Sequence, residues 1–193
     1  MEEKLKLFAI SNQIAERELD FIELSHNLDL ERDPKFLDER DEEYYPQFDH
    51  IIRSQAKDMS AHYELFYCLE VSIRMLIKEK LRSEIGEDWW EKADIPNHIK
   101  DTVKANIKRE IDSAFTQRSD DEIDYTNFGD LSEIVRKNWE YFGDIFSNSQ
   151  KAFGRVMSNL NLLRGPIAHC SPLAEDEVVR LRLSVSDWFR LME

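Results

Sequence analysis

MSAHYELFYCLEVSIRMLIKEKLRSEIG, residues 59–86, is the stretch that decides the fold class. Met59, His62, Phe66, Leu69, Ile73, Leu76 and Leu81 recur at steps of three, four or five residues. On a period of about 3.6 residues such steps lay one apolar stripe along a helix. No proline interrupts the run, and Gly86 stands where a helix would stop. Lys78, Lys80 and Arg82 bring positive charge to the end where helix carbonyls are left unpaired. The pattern predicts a long helix over about 47–85, with Cys68 among its apolar residues as a reduced core thiol.

Toward the N-terminus, DLERDPKFLDERDEEYYP (29–46) holds Pro34 and Pro46 among many acids. It reads as a connection, with a short helical turn at 34–42. Before it, Leu7, Ile10, Ile14, Phe21, Leu24 and Leu28 predict an amphipathic helix over about 3–29 that packs on the protein's own core. The chain is thus expected to divide into an N-terminal helix with its acidic connection (1–45) and a helical bundle (46–193).

Toward the C-terminus, Trp89 and Trp90 are expected to plug one end of the bundle. Asp94-Ile95-Pro96 starts a third helix over about 96–115, with Lys100, Lys104, Lys108 and Arg109 on a basic side. After the acidic loop 119–124, Asp130 and Glu133 have capping-box spacing. They open a fourth helix with Leu131, Ile134, Val135, Phe142, Ile145 and Phe146 inward. A fifth helix is expected over 149–163, with Phe153, Val156, Met157, Leu160 and Leu163 inward, and Arg164-Gly165-Pro166 should break or kink it. The last helix should begin near Ser171-Pro172 and bury Val178, Leu181, Val185, Trp188 and Met192. Short connections between amphipathic helices, and no convincing strand, predict an all-α, up-and-down helical bundle with an N-terminal helical extension.

Composition narrows the function. The chain has 193 residues, with 40 acidic against 26 basic side chains, a formal charge of -14. That balance opposes nonspecific adhesion to nucleic acid or anionic membranes and leaves room only for a local basic site. The two cysteines form no CxxC and no zinc-spaced group with histidine, so neither a metal nor a cofactor is expected. No apolar signal core opens the sequence and no apolar run reaches membrane-spanning length, which points to a cytoplasmic protein with no membrane partner.

Phosphate-cradling glycine loops, GxSxG and HExxH are absent. What stands out is Arg164-Gly165-Pro166-Ile167-Ala168-His169, an arginine and a histidine flanking the predicted helix break. An imidazole titrates ordinarily near about 6.5, so it can take or give a proton at neutral pH. A guanidinium stays charged and can hold a phosphate in a fork of donors. Read blandly, Arg164 is a cap or salt bridge and His169 a polar residue near a helix start. Glu70 and Arg74, four apart, share a helix face and have the spacing of an ordinary ion pair.

Over about residues 60–193 the chain resembles the HEPN superfamily, and more narrowly its Swt-type branch. The resemblance is carried by Leu69-Glu70-Val71-Ser72-Ile73-Arg74-Met75-Leu76-Ile77 with Gly86-Glu87-Asp88-Trp89-Trp90, and by Phe128-Gly129-Asp130-Leu131 with Asn138-Trp139. Leu162-Leu163-Arg164-Gly165-Pro166-Ile167-Ala168-His169, leading into Ser171-Pro172-Leu173, completes it. The resemblance implies a HEPN-type bundle that dimerises with its two Arg…His motifs facing each other. Active members are similar to metal-independent endoribonucleases, leaving 2′,3′-cyclic phosphate and 5′-hydroxyl ends, and many serve stress or phage defence. By implication the motif arginine is Arg164, the histidine is His169, and Glu70 and Arg74 are supporting residues beside them. RNA would be the substrate, a second copy the first partner, and an antitoxin or other protein a further one.

Two positions depart from the family pattern. Gly165 stands where active members usually carry a polar residue, often Asn, after the arginine. Ser171 stands where one toxin branch has a tyrosine that its partner modifies, so that regulation is not expected. Two rival expectations follow: a non-catalytic HEPN module that binds a protein or nucleotide, and a helical adaptor that dimerises through 3–29.

Overall fold

A computed structural model describes residues 47–193, and Leu19 before them. The expected helix at 3–29 and the acidic connection lie outside the described residues. The chain parts between Asp49 and His50, and the unit from His50 onward is all-helical. In order come α1 (His50–Ile85), α2 (Trp89–Lys92), α3 (Asn97–Asp112) and a 3-10 turn (Glu122–Tyr125). Then follow α4 (Phe128–Lys137), α5 (Trp139–Phe142), α6 (Gln150–Ala168) and α7 (Glu175–Arg190). Among the described residues there is no strand, and no helix is long and apolar enough to cross a membrane.

α1 is the strut of the bundle. Phe66, Leu69, Ile73, Ile77 and Leu81 are buried, while no residue from His50 to Leu65 is. α4 and α6 pack on this buried half, and α7 packs on α6. Gly86 ends α1 at φ +107°, a conformation that side-chain-bearing residues avoid. Trp89 and Trp90 are buried just beyond it, edge to face, and close that end of the core as expected. Cys68 is a correction. It is free but exposed, because it lies a residue's rotation away from the line of Phe66, Leu69 and Ile73.

The expected fourth helix is two. α4 begins at Phe128, earlier than the Asp130–Glu133 spacing suggests, and the Asp130 carboxylate accepts the Asn127 backbone N–H at 2.8 Å. It stops at Asn138, whose buried amide competes for the helix's own carbonyls. Asn138 Nδ2 donates to the carbonyls of Ile134 (2.9 Å) and Asp94 (3.1 Å), and its Oδ1 accepts the Asp94 N–H at 3.0 Å. A single side chain thus ties the α2–α3 connection to the end of α4, with its polar atoms satisfied.

Pro166 does not break α6, which runs on to Ala168. Proline forfeits one bond, to the carbonyl of Leu162, and Leu162 is an exposed residue near the helix end. The helix ends instead in a Schellman motif. Ser171 N–H reaches back to Pro166 O at 2.9 Å, Cys170 N–H reaches Ile167 O at 3.4 Å, and Cys170 adopts φ +55°. α3 ends in the same way, with Ala114 at φ +55° and Phe115 N–H on Glu110 O at 3.1 Å. α7 starts at Glu175, later than the expected Ser171, since the residues after this motif form an extended link.

The left-handed region costs a residue with a Cβ about 1–2 kcal/mol, and glycine's greater freedom in the unfolded chain returns about half of that. Ala114→Gly, at an exposed site, is therefore expected to raise stability by about 0.5–1 kcal/mol. Urea unfolding should show a higher midpoint at unchanged slope. An unchanged or lower midpoint would mean that the cap tolerates alanine without strain.

Candidate functional site

The site is built where α1, beside its buried stripe, meets the last turns of α6. Glu70 and Arg74 leave α1 one turn apart, beside its buried stripe, and Arg164 approaches from α6. The Glu70 carboxylate is divided between two guanidiniums. One oxygen accepts Arg74 Nη2 and the other accepts Arg164 Nε at 2.9 Å. The Glu70 side chain is 12% exposed, so a carboxylate that would be costly alone is compensated by two cations. The cluster carries one negative and two positive charges, a local excess of one positive charge in an acidic chain.

The two arginines are used differently. Arg74 Nη2 also donates to Thr126 O at 3.0 Å, which pins the 3-10 turn ahead of α4 to α1. Its Nε is buried without a hydrogen-bond partner, and the side chain is 16% exposed. Arg74 is thus a structural tie. Arg164 is 34% exposed and uses Nε alone among its recorded bonds, so its terminal nitrogens keep their donors. Those are the atoms that would meet a phosphate side-on.

Arg164 lines a recess of about 190 Å³ with Arg74, Glu70, Tyr63, Tyr67 and Ile167. Sequence reasoning singled out three of these residues and missed Tyr63 and Tyr67. The signal was present, since Tyr63, Tyr67, Glu70 and Arg74 follow at steps of four, three and four along one face of α1.

His169 lies apart. It caps the C-terminus of α6, is exposed, and does not line the recess that Arg164 shares. Five residues at about 100° each put it roughly 140° around the helix from Arg164. The helix runs on through Pro166, so the two side chains leave it in different directions. One chain therefore brings together Glu70, Arg74 and Arg164 but not His169. A Cβ placed on Gly165 would meet nothing within 4 Å beyond its chain neighbours and the backbone of its own helix, so packing does not demand glycine.

No curated protein and no solved structure matches the chain. The family model of the Swt1-like HEPN domain does match, over residues 64–193. Its match begins at the turn of α1 where burial begins, and it takes in the Glu70–Arg74–Arg164 cluster and the end of α6 with His169. An all-helical fold, the pieces of sequence that carry the resemblance and a match over more than half of the chain agree: this protein belongs to the Swt1-like HEPN family.

Proposed function

We propose that this HEPN protein is a metal-independent endoribonuclease that works as a homodimer, in stress or phage defence. The observation that carries the reading is Arg164, held through Nε by Glu70, with its terminal donors unused, at the edge of a recess that it lines. In the proposed reaction the ribose 2′-hydroxyl attacks the adjacent phosphorus and the 5′-oxygen leaves. The products are a 2′,3′-cyclic phosphate and a 5′-hydroxyl end. Arg164 holds the phosphate as negative charge builds on it. His169 takes the 2′-hydroxyl proton or delivers one to the leaving oxygen. Glu70 and Arg74 are positioning residues.

Since Arg164 and His169 diverge on one helix, the arginine of one copy works with the histidine of its partner. A surface suited to that second copy lies alongside. Leu162 and Leu183, each more than half exposed, flank a groove of about 520 Å³ between α6 and α7 that Pro166 also lines.

The test is incubation of the full chain with mixed RNA in EDTA, followed by analysis of the new ends, beside Arg164→Ala. Cleavage by the wild type that leaves cyclic phosphates, with at least about a 100-fold loss in Arg164→Ala, is the expected result. Cleavage that persists in Arg164→Ala would remove this arginine from the chemistry. A second reading, a non-catalytic HEPN module that binds a protein or nucleotide, is favoured by Gly165 and by the charge of -14. A wild type that cleaves nothing would decide for it.

A further inference from the structure

Tyr63 and Tyr67 are 59% and 58% exposed, one helical turn apart, on the same face of α1 as Glu70 and Arg74. Their ring centroids lie 6.2 Å apart at an interplanar angle of 33°. Water-exposed aromatic faces are unfavourable where nothing covers them. Both tyrosines line the recess that Arg164 also lines, together with the buried Phe66 and Ile167. The recess, about 190 Å³, is below the roughly 300–1,000 Å³ typical of sites for drug-sized ligands, and suits one flat ring rather than a larger group.

We propose that Tyr63 and Tyr67 form a stacking platform for a base of single-stranded RNA, next to the phosphate held by Arg164. This rests on the RNA reading above and narrows it to a substrate class. A base in a duplex has both faces covered by its neighbours, whereas an unpaired base can swing out onto an aromatic ring. The pairing of π faces with a guanidinium fits a nucleotide, which offers a flat ring and an anion side by side. With a single excess positive charge at the site, stacking must supply much of the binding. The platform therefore offsets the electrostatic disadvantage of an acidic chain.

The experiment measures binding of a fluorescent single-stranded 2′-O-methyl RNA oligonucleotide, which cannot be cleaved, to the full chain by anisotropy. The variants are Tyr63→Ala, Tyr67→Ala and, at each position, Phe and Leu. Removing one stacked base contact should weaken binding about 5- to 150-fold. Phe, which keeps the π face, should stay within about threefold of the wild type, and Leu, which keeps apolar bulk only, should fall with Ala. Annealing the oligonucleotide to its complement should weaken binding to the wild type. Equal binding by wild type and Ala variants, or Leu variants that bind as Phe does, would overturn the platform. So would Ala variants that lose dimer mass in sedimentation, which would assign the rings to a protein interface. The outcome is separable from that of the nuclease reading. A wild type that binds through the tyrosines but cleaves nothing keeps the platform and loses the nuclease, and the converse pattern does the opposite.

Discussion

Alanine at His169 is expected to lower RNA cleavage by about 100- to 10,000-fold while leaving thermal unfolding unchanged. The imidazole is exposed and makes no recorded hydrogen bond among the described residues, and the residue's role in the Schellman cap is carried by its backbone. Alanine preserves that backbone role, and an exposed substitution of this kind usually changes stability by less than about 0.5 kcal/mol. The loss should thus fall on the rate alone, and it should appear in single-turnover cleavage as well as at steady state. A variant that melts early would make His169 a structural residue after all. A variant that cleaves normally would take it out of proton transfer.

The same substitution tests whether the site is shared between copies. Arg164 and His169 leave α6 roughly 140° apart, so the proposed reaction draws one side chain from each copy. Mixing Arg164→Ala with His169→Ala under conditions that exchange subunits gives heterodimers as half of the population. Each heterodimer has one site with both native side chains and one with neither, so the mixture should recover about a quarter of wild-type cleavage. Recovery is impossible if each chain supplies its own pair. A mixture as inactive as its components would therefore refute the composite site even if both single variants are dead.

The sequence carried the parts of this structure that hydrophobic period and glycine report. α1 was legible because its stripe runs at helical steps to Gly86, the one glycine at positive φ. The end of α6 was not, because Cys170 takes the left-handed position usually marked by glycine. Pro166 then drew the expected helix end too early, since proline two residues before the last helical position costs one exposed bond and no more. The division of the fourth helix depended on where the Asn138 amide finds its partners, and Asp94 lies 44 residues away. Cys68 misled because α1 carries apolar residues around more than one face. At the site, four-residue spacing predicted the Glu70–Arg74 pair, and the structure adds Arg164 from 94 residues away. Only the family resemblance had placed those three residues near one another. The divergence of Arg164 from His169 followed from helix continuity, which was the feature that the proline concealed.

The largest expected effect on stability comes from Phe146→Ala. Phe146 is fully buried, and its ring centroid lies 4.7 Å from Phe153, 5.3 Å from Trp188, and 6.3 Å from both Trp139 and Phe142. These partners come from α5, α6 and α7, so the ring is where three helices meet at the end of the bundle remote from Arg164 along α6. Truncation removes its contacts on every side, and neighbours held by their own rings cannot collapse into the space. A loss of about 3–5 kcal/mol is expected, a large part of the roughly 5–15 kcal/mol that holds a domain folded. With a urea slope of about 1–3 kcal/mol per molar, the midpoint should fall by roughly 2 M. Phe146→Leu keeps most of the apolar volume and should lose less than half as much. If the two variants fall equally, the stacked and tilted ring contacts rather than volume hold this corner. If alanine costs under about 1 kcal/mol, the corner repacks and the three helices are joined elsewhere. Below its transition midpoint the alanine protein should retain its affinity for RNA, because the cluster reaches the site only through the fold of α6.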